Sequence, residues 1–280
     1  MKTIKLDYFS LLSPEPLYVE NIGHIVSPTL RQIGQLRGRL MQYNLYLDIL
    51  LTSIQSYYEM IDKLGDEYFS AYTPEEKNVI LSVKHSYDEL NDEEKLNFSF
   101  FDIIHYDKIC RFKLSSSLNF FLQEKVAYSD KDQMFLVFPQ EDEEMSTPTG
   151  IICRDNYNEL TDLIFQKENL DRSQLNNNVK FRNKSAKKFW EKIQKGKKSE
   201  KKTPDKKMEL ANLMSSLSVH CKGLNMSNIW DLTVFQLYDQ FERQQIEDGY
   251  SIGSSSIAAW GDKDNKFDHS LWFSLRNMFK

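Results

Sequence analysis

The segment from Asn225 to Phe241, NMSNIWDLTVFQLYDQF, constrains this chain more than any other, because a helix-start signal and an aromatic stripe coincide in it. Thr233 and Gln236 form a capping box: the threonine hydroxyl suits the amide of the third helical residue, and the glutamine side chain reaches back to the cap amide. Leu232 and Leu237 occupy the positions of a hydrophobic staple. The pattern predicts a helix beginning at Val234, with Val234, Leu237, Tyr238 and Phe241 on one face and Trp230 continuing that surface from the preceding turn. A stripe at helical spacing is first of all a core element. It carries no inward-facing Cys, His or paired carboxylate, so it offers contact surface and not chemistry. Phe235 lies off the Leu237/Phe241 face, which predicts that it is the exposed member of the set.

The 280 residues suffice for one or two domains, and 40% hydrophobic with 28% charged residues is a globular composition. Three cysteines, Cys110, Cys153 and Cys221, are odd in number and far apart, which argues against a disulfide framework and for a reducing compartment. The N-terminal MKTIKLDYFSLL lacks the apolar run of a signal peptide, and no window approaches the ~20 apolar residues of a membrane span. A net charge of −5 disfavours general nucleic-acid binding.

Along the chain, residues 8–26 read as an extended arm containing one strand. Ser27-Pro28 reads as a helix start, with a helix weakened at Gly34 and Gly38. A second helical stretch follows from Met41 to Leu64, with Tyr57 and Tyr58 at its exposed edge. Thr73, Pro74 and Glu76 give the clearest cap of the first half, for a helix to about Leu90. Asn91 and Glu94 start another turn, and Asn97 to Ile104 is apolar enough to be buried. A helix over Tyr106 to Leu122 would bury Ile109, Phe112, Leu114, Leu118 and Phe121. The period then changes. Lys125–Tyr128 and Met134–Phe138 flank SDKDQ as a hairpin, Gly150 to Cys153 supply a third strand, and Asp155 caps a helix through Phe165.

The fold class expected is α+β, predominantly α-helical, with a small antiparallel β-meander over about 125–153. The expected domains are a main helical domain over 1–194, a Lys-rich flexible loop over 195–207 and a C-terminal helical segment over 208–280. Met208 to Val219 reads as a helix. The tail from Tyr250, with Gly253 and three consecutive serines, reads as a loop followed by a short amphipathic helix.

Asp102, His105 and Asp107 are the nearest approach to a metal or acid–base cluster, and they would carry any metal-dependent enzyme reading. Two ligands are fewer than a metal site needs, and no further His/Glu motif completes the set. His220 and Cys221 are adjacent and so diverge on a helix. There is no Walker loop, dinucleotide fingerprint, nucleophile elbow or metalloprotease helix. The sequence therefore points to no catalytic residues, no metal and no cofactor.

The order of a helical first half, a strand pair, GIICRDNYNELTDLIF, a Lys-rich break and GLNMSNIWDLTVFQLYDQF resembles the tail-assembly chaperones and related small tail-module proteins of tailed bacteriophages. The arm LYVENIGHIVSPTLRQI is similar too. The resemblance implies a non-enzymatic protein of the host bacterial cytoplasm that binds the helical tape-measure protein, or another tail protein, and keeps it soluble during assembly. It also leaves room for self-association and for a structural role in the tail or neck of the virion. The residues it places at the contact surface are Trp230, Phe235, Tyr238 and Phe241.

Overall fold

The computed structural model describes residues 4–170, 209–262 and 267–273. The chain divides into two compact units, Met1–Glu168 and Asn169–Lys280. The Lys-rich segment 195–207 lies outside the described residues, as does the end of the tail beyond Phe273. The protein is α+β, mostly helical, with two small antiparallel sheets.

The first unit opens with a short helix, α1 (Tyr8–Leu12), capped by Asp7, whose carboxylate accepts the Ser10 amide at 2.8 Å. A hairpin follows, β1 (Leu17–Val19) and β2 (Gly23–Ile25), where one strand was expected. The break at Gly38 separates α2 (Leu30–Gln35) from α3 (Arg39–Leu51), and Thr29, not Ser27, caps α2. Thr52 and Ser53 then divide the second helical stretch into α3 and α4 (Ile54–Leu64).

On α4 the buried residues are Ile54, Tyr57, Tyr58 and Ile61. Their three- and four-residue spacing places both tyrosines on the core face, so the expectation that they form an exposed edge is overturned. A 3₁₀ turn over Gly65–Ala71 leads to the Thr73 capping box and α5 (Pro74–Glu89) as predicted. Asn91 caps α6 (Asp92–Leu96), and α7 (Phe100–Ile103) buries Phe100, Phe101 and Ile103. Helix α8 (Lys108–Phe121) buries Cys110, Leu114, Ser117, Leu118 and Phe121. Phe112 falls on the opposite side of that stripe and is 73% exposed, against expectation.

The meander forms where the period changes. Strands β3 (Lys125–Ser129), β4 (Met134–Phe138) and β5 (Gly150–Ile152) pair antiparallel in that order, with Lys125 opposite Phe138 and Phe135 opposite Ile152. Alternation turns Phe135 and Val137 inward. The hairpin docks on this sheet through Ile151 N to Asn21 O at 2.8 Å. Helix α9 (Arg154–Lys167) is capped two residues earlier than expected, by Cys153 and not Asp155, and the Cys153 amide donates to Asn156 Oδ1 at 2.8 Å.

In the second unit, α10 (Leu210–His220) buries Leu213, Met214 and Leu217, and α11 (Val234–Trp260) starts at the predicted residue. The capping box is present: Thr233 Oγ1 accepts the Gln236 amide at 3.2 Å and Gln236 Oε1 accepts the Thr233 amide at 3.0 Å. The expected loop after Tyr250 is instead the second half of this 27-residue helix. Phe267 lies over Gly253, close enough that a Cβ there would sit 2.8 Å from the ring, and so shields the backbone that glycine leaves bare. Gly261, at φ +76°, ends the helix.

Candidate functional site

Asp107 organises the interior of the first unit. It is wholly buried and caps α8, with Oδ1 accepting the Ile109 amide at 3.0 Å and the Cys110 amide at 2.9 Å. Three tyrosine hydroxyls complete its shell. Tyr57 and Tyr68 donate to Oδ2 at 2.8 and 2.6 Å, and Tyr72 donates to Oδ1 at 2.7 Å. Burial by itself would raise this carboxyl, but the Cys110 amide and the three hydroxyls outweigh it and hold it below its ordinary value. The same burial, with the Asp107 charge beside them, pushes Tyr57 and Tyr68 far up and the Cys110 thiol up to about 12. At neutral pH the cluster is therefore one anion held by neutral donors, and the thiol is a poor nucleophile.

The other members of the acid–histidine set go elsewhere. Asp102 accepts the Ser99 amide at 2.8 Å and pairs with Arg154 at 3.3 Å. His105 shares a 2.5 Å hydrogen bond with Tyr128, and burial lowers its pKa. Among the described residues no group of three His, Cys, Asp or Glu side chains is arranged to hold a metal ion. His220 meets Asp248 at 2.9 Å and Cys221 donates to Gln244 at 3.1 Å, so this adjacent pair ties α10 to α11.

The predicted contact aromatics divide differently from expectation. Trp230, Tyr238 and Phe241 are half-buried. Phe235 is 1% exposed, which overturns its assignment as the exposed member. Val234, Phe235, Leu237 and Asp239 are all buried, and at ~100° per residue they span about 200° of the helix circumference. The first turn of α11 is enclosed over more than half its circumference, and a narrow one-face stripe does not describe it.

The open apolar surface lies instead in the first unit, along α3, α4 and α8. Helices α3 and α8 pack antiparallel: Ser117 Oγ donates to Tyr46 O at 2.8 Å, while Tyr43 meets Phe120 nearer the other end. Between them runs a groove of about 770 Å³. Its walls carry Met41, Leu45 and Phe112, which are 71%, 56% and 73% exposed, and Tyr57 and Cys110 also line it. A shallower depression of about 480 Å³ shares Tyr46, Phe112 and Ser116 and extends it towards Phe120. One end holds Arg37 and the other Asp48 and Thr52. Sequence reasoning missed this site because it placed Phe112 inside. The signal that finds it is the i, i+4 pair Met41 and Leu45, which lies on α3 away from buried Tyr43, Leu47 and Leu50.

The fold and groove define a mainly helical α+β protein with an exposed apolar cleft beside a buried carboxylate–tyrosine core. The model of a phage-associated family described as the YomV second domain matches residues 197–276, which include α10 and α11. No curated protein and no solved structure matches the chain. No helix among the described residues is long and apolar enough to cross a membrane.

Proposed function

We propose that this chain is a non-catalytic phage protein that binds an apolar helical segment of a tail protein, the tape-measure protein in particular, and keeps it soluble in the host cytoplasm during tail assembly. The observation that carries this reading is the α3–α8 groove, where Met41, Leu45 and Phe112 leave apolar area open to solvent on a helical frame. Helix-in-groove recognition needs such a cleft. Methionine suits a client that is later handed on, because its flexible thioether adapts to irregular partners. The match of residues 197–276 to a phage-associated domain supports the phage setting. Coexpression with tape-measure segments tests the reading: the intact chain should hold the segment in the soluble fraction, and Leu45→Asp should lose it while folding normally. A tape-measure segment that aggregates equally with and without the chain would refute the chaperone role. Recovery of the chain from purified virions would point instead to a structural tail or neck component.

A further inference from the structure

Resting on that helix-binding reading, we infer that the α3–α8 groove reads the polarity of its occupant: it takes an amphipathic helix antiparallel to α3, with a basic residue in the occupant's first turn against Asp48 and an acidic residue in its last turn against Arg37.

The groove's dimensions suit one short helix. From Met41 to Thr52, the C-cap of α3, is eleven residue rises, about 16 Å or three turns. Met41 and Leu45 provide one wall and Phe112 the other, so an occupant needs apolar residues at three- and four-residue spacing on one face.

Charge sets the direction. Arg37 lies just ahead of α3 and Asp48 in its last turn, so opposite charges mark opposite ends of the cleft. Among the described residues neither makes an ion pair or a side-chain hydrogen bond, whereas other charged side chains of this unit, such as Lys108 with Glu76 and Arg111 with Asp130, are paired. Burial raises the Asp48 carboxyl with no cation offsetting it. A helix carries partial positive charge at its N-terminus and partial negative charge at its C-terminus. The favourable placement puts the N-terminus at Asp48 and the C-terminus at Arg37, and basic and acidic side chains at those ends add to the same preference. The α3–α8 register, with Ser117 beside Tyr46 and Phe120 beside Tyr43, sets Lys113 on the Phe112 wall towards the Asp48 end; among the described residues it makes no ion pair with Asp48, and Arg37 is the stronger determinant of direction.

Two synthetic helices test this on the full chain. Both are about 12 residues long, about three turns, to match the cleft. They share one composition and one apolar face; the first carries Lys in its first turn and Glu in its last, and the second exchanges them. Labelled peptides, each stapled away from the apolar face so that both are helical when free, should on titration with the protein show the Lys-first helix bound about tenfold more tightly, a gap that narrows with salt. The double substitution Arg37→Glu with Asp48→Lys should reverse the order. Both residues are at the surface, and an unchanged melting temperature will show that the variant folds. Equal binding of the two peptides, or an unaltered order in the variant, overturns the polarity and leaves helix binding standing, provided Leu45→Asp abolishes binding of both. Failure of both peptides to bind the unmodified protein overturns the polarity and the groove reading together.

Discussion

The Tyr57 hydroxyl donates to Asp107 Oδ2 at 2.8 Å across 50 residues of chain. This bond joins the core face of α4 to the cap of α8, and Tyr68 and Tyr72 bring the intervening 3₁₀ turn to the same carboxylate. One side chain therefore fixes the relative placement of three elements, two of which line the groove.

Replacing Asp107 with alanine should be among the most damaging changes in the first unit. It strands three hydroxyls and two amides in the interior, and we expect a loss of about 3–5 kcal/mol in urea denaturation. Tyr57→Phe removes one donor and leaves the ring packed, so its cost should be about 1.5–3 kcal/mol. Because the folded carboxyl titrates below its ordinary value of 3.8, its stabilisation is present above that pH and is lost as pH falls through the folded value. Asp107→Asn should accordingly flatten the acid limb of the stability profile. An acid limb identical to that of the unmodified chain would exclude this linkage.

Glu168 should act with the opposite sign. It is fully buried, and burial pushes its pKa from 4.5 up to about 8, although the Tyr43 hydroxyl at 2.6 Å and the Lys167 charge pull it down. The folded chain thus holds this proton more tightly than the unfolded chain. Stability is greatest below pH 4.5 for this group and declines as pH rises towards 8. Glu168→Gln should remove that decline, seen as a flatter melting temperature between pH 5 and pH 8 on the order set by a single-group linkage. A slope that survives the substitution would assign it to another group.

The local elements were legible in the sequence because their signals are local. Thr73 and Thr233 carry hydroxyl caps with a Glu or Gln three residues on, and the strands announce themselves by a change of period at Tyr128. The site was not legible. Asp107 draws its donors from residues 57, 68 and 72, and no spacing rule links positions so far apart. Phe112 looked like core because it is large and apolar, whereas the α8 stripe of Cys110, Leu114, Leu118 and Phe121 turns it outward. The reverse error fell on Tyr57 and Tyr58, whose spacing with Ile54 and Ile61 turns both rings inward, Tyr57 to the buried Asp107 carboxylate.

Gly150 should resist even the smallest side chain. A Cβ there would lie 2.9 Å from both Asn21 O and Ile22 O, backbone atoms of the hairpin turn that the Ile151 amide helps to hold. Neither neighbour can swing aside as a flexible side chain would. Gly150→Ala should cost about 1–3 kcal/mol by overpacking, read as a lowered melting temperature. Ile151→Ala, at a 40% exposed position on the same strand, should cost less. The reverse order would mean that the hairpin yields freely.

The last prediction concerns the start of α11. Thr233→Ala removes the hydroxyl that accepts the Gln236 amide and should cost about 1 kcal/mol. Phe235→Ala empties an enclosed site and should cost about 3–5 kcal/mol, although the sequence alone assigned this side chain to the surface. Trp230 is half-buried, so its truncation forfeits only part of its packing and should fall below Phe235 despite the larger ring. Tyr238 and Phe241, also half-buried, keep area for a second contact, as do Tyr250 and Trp260 further along α11. Thermal denaturation of the four alanine variants, with helix binding measured beside it, separates the roles. Phe235→Ala should lower stability most. Should it instead melt like the unmodified chain, the first turn of α11 is open in solution and the enclosure described for it is wrong.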